Sequence, residues 1–186
     1  RLTDLFDLPP ISGSFSIGDI DQDNDPDIFL LNPLSDKLNM LVNEDGHFLN
    51  TIIPPELNFK TIYRDKSSFI DIDNDGDLDL FYGTSSAMKY NDVFYINNGH
   101  GKFTERTVEN TEKVGDRYFL GDLDNDLDND LIYHENFNDL YCYLNNGDGT
   151  FTDNTVDSIQ FTMNGYGRGG QLFDYDLDGD LDLFLI

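Results

Sequence analysis

A nine-residue aspartate-rich stretch occurs four times in this chain: DIDQDNDPD from Asp19, DIDNDGDLD from Asp71, DLDNDLDND from Asp122 and DYDLDGDLD from Asp174. The starts lie 52, 51 and 52 residues apart. A repeat of that period means one supersecondary unit used over and over, with each copy burying its faces against its neighbours.

The rest of the unit recurs with the loop. A short aromatic run precedes each copy (SFSIG, SSFI, RYFLG, GQLF) and an apolar run follows it (IFLLN, LDLFYG, DLIYHE, LDLFLI). Further on come KLNMLVNEDGHF, DVFYINNGHGKF and DLYCYLNNGDGTF, β-favouring runs that close on Asn, Gly and Asp before an aromatic residue. Such turns between apolar runs specify β-hairpins. The tails FLNTII, FTERTV and FTDNTV supply a fourth strand. No window holds a helical period.

The expected fold is therefore all-β: β-propeller blades of four antiparallel strands, about 52 residues per repeat. A β-sandwich is the alternative, and the constant repeat length favours the propeller. Residues 1–186 read as one propeller segment with loops at 19–27, 71–79, 122–130 and 174–182, and with an incomplete last blade. RLTDLF at the start resembles a fourth strand. Rings of 4 to 8 blades need roughly 210 to 420 residues at this period, so the expectation is a fragment of a larger propeller, or open edges completed by a neighbouring chain. The absence of an initial Met is read as a processed or truncated N-terminus.

Bulk composition narrows the partners. Fifteen Phe and ten Tyr provide a core that an acidic disordered tail lacks. With 11 Lys+Arg against 37 Asp+Glu the formal charge is -26, which disfavours nucleic acid and anionic membrane surfaces. No apolar stretch is long enough for a membrane span. Cys142, the single cysteine, excludes an intrachain disulfide and reads as a packed strand residue.

Metal cations remain as the natural partners of the loops. Carboxylates at positions 1, 3, 5 and 9 can wrap oxygen ligands around a hard cation, and calcium takes six to eight of them. The side-chain sets are Asp19, Asp21, Asp23 and Asp27; Asp71, Asp73, Asp75 and Asp79; Asp122, Asp124, Asp126 and Asp130; and Asp174, Asp176, Asp178 and Asp182. Asp77, and equivalently Asp25, Asp128 and Asp180, would give a backbone carbonyl at position 7. Position 12 holds Leu30, Tyr82, Tyr133 and Leu185, so the closing Glu of an EF-hand is missing. Magnesium prefers tight octahedral sites with retained water, and zinc prefers Cys and His.

Four loops hold 20 of the 37 acidic residues, and four Ca²⁺ would take the formal charge to -18. Position 6, where the turn favours a left-handed residue, is Asn24, Gly76, Leu127 and Gly179. Leu pays about 1–2 kcal/mol for that conformation, which makes the third loop the expected weakest site.

Strand, acidic loop, strand and LNNGDGTF together resemble the FG-GAP/VCBS repeat family, whose members are similar to the calcium-loaded propeller of integrin α subunits. The resemblance covers almost the whole chain. It implies a loop that joins the first two strands of a blade and binds Ca²⁺, about four ions per chain, in a fold that commonly has seven blades.

The expected function is a calcium-stabilised extracellular or cell-surface binding, adhesion or structural module. Calcium sites of extracellular modules often work at about 10⁻⁴–10⁻³ M, and roughly tenfold excess calcium gives about 1.4 kcal/mol per site. The expected partners are a protein or glycan ligand, with self-association through an open blade edge. Arg64, Arg117 and Arg168 recur just before three loops and form a candidate site for carboxylate or anionic sugar, beside the backbone of Gly167 and Gly169. An alternative is a subunit of a fibre or sheath.

Catalysis is not expected. His47, His100 and His134 read as turn or surface residues, and no nucleophile or phosphate-cradling signature is present. A propeller-type polysaccharide lyase or hydrolase is the enzymatic alternative.

Overall fold

The computed structural model describes residues 14–30, 39–52, 66–83, 93–107, 117–135, 139–155 and 169–185. Among them there are fourteen strands and no helix: β1 (Phe15–Gly18), β2 (Asp27–Leu30), β3 (Asn39–Glu44), β4 (His47–Ile52), β5 (Lys66–Ile70), β6 (Asp79–Gly83), β7 (Val93–Asn97), β8 (Phe103–Thr107), β9 (Arg117–Gly121), β10 (Asp130–Glu135), β11 (Asp139–Asn145), β12 (Phe151–Asp153), β13 (Gly170–Phe173) and β14 (Asp182–Leu185).

They form three four-stranded sheets, β1-β2-β3-β4, β5-β6-β7-β8 and β9-β10-β11-β12, and a two-stranded sheet, β13-β14. Each four-stranded sheet is an up-and-down meander in which sequence neighbours pair. This is the architecture of β-propeller blades, repeated about every 50 residues. The acidic loop joins the first and second strands of every sheet, and registers such as Gly18↔Asp27 and Gly121↔Asp130 place position 9 on the first rung of the second strand.

The second strands explain why their sequences read as continuous apolar runs rather than alternating ones. Every residue of β6 is buried. Leu80 and Tyr82 face one side and Phe81 the other, so both sides of the sheet are covered.

The chain divides into two compact units. One contains the β1–β4 and β5–β8 sheets; the other contains the β9–β12 and β13–β14 sheets together with loop residues 71–75. The core of the first joins Ile20, Phe29, Met40, Leu80, Tyr82 and Tyr95, with Val42, Phe69, Val93 and Phe103 packed against them. Phe29 and Phe69 meet edge-on at 6.4 Å. In the second unit Leu131, Ile132, Tyr133, Tyr143 and Phe151 are buried, and the Tyr133 and Tyr143 rings meet edge-on at 5.8 Å.

The RLTDLF segment lies outside the described residues. Cys142 is half-buried in β11, where burial and then the Asp130 carboxylate push its thiol pKa up to about 11. It stays protonated at neutral pH, which fits a packing role. His47 and His100 are exposed as expected. His134 is not: it lies buried in β10, paired in register with Arg117 of β9 and Leu140 of β11. Its place directly behind the loop put it inside the doubly covered strand.

Candidate metal centres

Each loop folds around its own carboxylates. The position 1 side chain accepts two main-chain N–H groups across the turn. Asp19 takes those of Asp23 and Asn24 at 3.1 and 2.9 Å, Asp122 those of Asp126 and Leu127 at 3.1 and 3.0 Å, and Asp174 those of Asp178 and Gly179, both at 3.1 Å. Position 5 caps the next turn, since Asp23, Asp126 and Asp178 accept from the N–H two residues on at 2.8–3.0 Å. These are Asx-type turns, which Asp favours.

Position 9 anchors the loop to the sheet. Asp27, Asp79 and Asp130 are fully buried, a placement that a carboxylate tolerates only when its oxygens are satisfied. Asp27 accepts from Ile20 N at 2.9 Å and Asn43 N at 2.7 Å. Asp130 accepts from Leu123 N at 2.7 Å and Asn145 N at 2.8 Å. Asp79 accepts from Asn97 N at 2.7 Å. Asp182 accepts from Tyr175 N at 2.9 Å and remains exposed.

This folding brings positions 1, 3 and 9 together in all four loops. Carboxylate oxygens of Asp19, Asp21 and Asp27 lie within 4.8 Å of one another, as do those of Asp71, Asp73 and Asp79, of Asp122, Asp124 and Asp130, and of Asp174, Asp176 and Asp182. Asp23, Asp75, Asp126 and Asp178 stand outside these triads, as do the position 7 residues Asp25, Asp77, Asp128 and Asp180. Burial, followed by repulsion from Asp23, raises the pKa of Asp21, and burial likewise raises those of Asp27 and Asp130 against the pull of their N–H donors. Asp21 Oδ1 is buried without a hydrogen-bond partner. An all-oxygen donor set with an orphaned buried oxygen and uncompensated negative charge fits a hard cation.

Position 4 is left-handed as well as position 6: φ is 62° at Gln22, 59° at Asn74, 64° at Asn125 and 62° at Leu177, against 74° at Asn24, 90° at Gly76, 77° at Leu127 and 100° at Gly179. The sequence reading placed the strain at Leu127 alone; Leu177 shares it.

The sequence reading also missed an asparagine that ends the third strand. Besides its N–H bond to position 9, Asn97 donates from Nδ2 to the carbonyls of Ile20 at 2.6 Å and Leu78 at 3.1 Å. Asn145 does the same to Ile72 at 2.8 Å and Asn129 at 3.1 Å. Only the recurrence of Asn at that place in the NNG turns could have flagged them. The glycine after each pair is also required: Gly147 has φ 79°, and a Cβ there would sit 2.7 Å from Asp128 Oδ2.

Among the recurring arginines, Arg117 opens β9. Arg64, Arg168 and Gly167 lie outside the described residues, and Gly169 immediately precedes β13. No described helix is long and apolar enough to cross a membrane.

A family model for an FG-GAP-like repeat matches the chain three times, at residues 19–82, 71–133 and 122–185. Each match runs from one acidic loop through the next. No curated protein matches the chain.

Proposed function

Because the chain belongs to the FG-GAP-like repeat family, we infer that it is a calcium-stabilised β-propeller module that works outside the cell or at its surface and binds a protein or glycan ligand. The observation that carries this reading is the fourfold carboxylate triad, built from positions 1, 3 and 9 of the first hairpin loop of each sheet. Asp19, Asp21 and Asp27 and their equivalents would hold the ion, with positions 5 and 7 completing the set. Calcium would supply charge neutralisation: two positive charges at each point where the fold concentrates carboxylates.

The role is structural rather than catalytic, since Asp27 and Asp130 at position 9 are each tied to both the loop and the third strand, and a cation on them would brace the sheet. The extracellular setting follows from the calcium regime that such loops suit. Arg117 is the described member of the cationic set that would meet an acidic ligand.

Metal content tests the reading. Protein equilibrated in millimolar calcium should carry about four ions per chain, and Asp21→Asn should remove about one. No bound calcium, or equal retention of magnesium, would overturn it.

A second reading, self-association, draws on the β13-β14 sheet, where Phe173 is 39% exposed and Phe184 57% exposed. Such apolar area in solvent favours a covering partner. Light scattering decides: a stable monomer at high concentration removes this reading.

A further inference from the structure

Position 4 of one loop meets position 7 of the next. Gln22 Nε2 donates to Asp77 Oδ1, Asn74 Nδ2 to Asp128 Oδ1, and Asn125 Nδ2 to Asp180 Oδ1, the last at 2.6 Å. The same type of bridge thus recurs three times, each joining residues 54 or 55 positions apart. The donor always lies between carboxylate positions 3 and 5 of its own loop, in left-handed backbone. The acceptor always belongs to position 7 of the following loop, whose carbonyl would complete the ligand set there under the calcium reading. The series has two distinct ends: Leu177 carries no amide, and Asp25 takes the N–H of Asp45 at 2.8 Å.

The geometry points to these amide–carboxylate bridges as couplers of successive calcium loops, so that filling one loop raises the affinity of the next; this rests on the calcium reading above. A cation that draws positions 3 and 5 onto itself fixes position 4 between them. The fixed amide then holds the neighbouring position 7, whose carbonyl no longer has to be ordered when the second ion arrives. Ordering cost met once by the first ion is absent for the second, which is positive cooperativity. The effect is reciprocal, because linkage requires the same factor in both directions.

Charge acts the other way. Each bound cation makes the field around the next loop less negative and lowers its affinity, and this through-space part is screened by salt. A charge-assisted hydrogen bond in contact is screened far less. Ionic strength therefore separates the two: raising it should expose the cooperative part.

The test reads the fourth loop while changing the third. The chain has no Trp, and Tyr175 at position 2 of the fourth loop is exposed and joined to Asp182 through its main-chain N–H. Tyr175→Trp therefore places a single tryptophan, excited apart from the tyrosines, on that loop without removing a carboxylate. In this background Asn125→Gly deletes the amide, keeps a residue that accepts the left-handed backbone, and leaves all carboxylates in place. The half-saturating calcium concentration of the fourth loop should rise roughly fivefold, the low end of typical coupling. Asn125→Gln should restore it, because Gln22 makes the same bridge from the first loop.

Asp124→Asn, which disables the third loop itself, should give a similar rise, and adding Asn125→Gly to it should add nothing further. Should Asn125→Gly not fold, Asn125→Leu installs the residue that the fourth loop carries at position 4 in the same left-handed backbone, removes the amide and leaves all carboxylates in place, with the same expected rise. An unchanged fourth-loop affinity in the bridge variant, with calcium still binding, overturns the coupling alone. Absence of any calcium response and of bound calcium in the Tyr175→Trp protein overturns the calcium reading and the coupling with it.

Discussion

Asn145 donates from its side-chain amide to the carbonyl of Ile72, 73 residues earlier, at 2.8 Å, while its main-chain N–H binds the buried Asp130 carboxylate at the same distance. One asparagine therefore fastens its own loop and the preceding one. Asn97 does the same for Ile20 and Asp79. The acidic loops are held from outside themselves, by the turn that ends the third strand.

Truncating these asparagines should be costly. Asn145→Ala and Asn97→Ala each remove two side-chain hydrogen bonds to main-chain carbonyls, which costs about 2 kcal/mol. Asn43→Ala should cost about 1 kcal/mol less, because Asn43 Nδ2 reaches only the Pro26 carbonyl, at 3.2 Å, among the described residues. Denaturant unfolding in calcium measures all three, and equal losses would contradict the clamp.

Relieving the left-handed leucines should stabilise. Leu127 and Leu177 are 82% and 86% exposed, so no packing is lost on replacement. Leu127→Gly and Leu177→Asn, which install the residues found at the same positions of other loops, should each add about 1 kcal/mol. Thermal unfolding of the two variants decides, and an unchanged midpoint in both would show that the loops carry no such strain.

Acidity should act with opposite sign in the presence and absence of calcium. Burial raises the pKa of Asp21, Asp27 and Asp130 above the usual 3.8. A raised folded-state value means that the folded chain binds protons more tightly than the unfolded chain. Its contribution is full below the unfolded pKa and is lost as pH rises through the folded one. In chelator, stability should therefore increase as pH falls from neutrality toward the carboxylate range, helped by relief of the net charge. In calcium the same titration should lower stability, because protons displace the ion. Parallel slopes in the two media would contradict this.

The local chemistry was legible in the sequence and the long-range chemistry was not. Alternating Asp, an apolar run after Asp79 and the Asn-Gly turns each act through neighbours within a few residues, so pattern alone located the loops, strands and hairpins. Triads formed by Asp71, Asp73 and Asp79 and their equivalents follow from the same nine residues. The bridges from Gln22 and Asn125, and the Asn145 clamp, join residues one repeat or more apart with an offset that differs from the repeat length, and become visible only once the sheets have a register. Position 4 escaped notice because Gln, Asn and Leu share no obvious preference, although all four adopt the left-handed backbone. His134 misled through its place beside an exposed loop, when the doubly covered β10 governs it.

The central claim is that a cation completes each triad and braces the fold. Thermal unfolding at neutral pH in millimolar calcium, in chelator and in magnesium, with metal content determined on the same sample, tests it directly. The expected result is a large stabilisation specific to calcium with about four ions per chain. Coincident unfolding curves in all three media, with no bound metal, would contradict it.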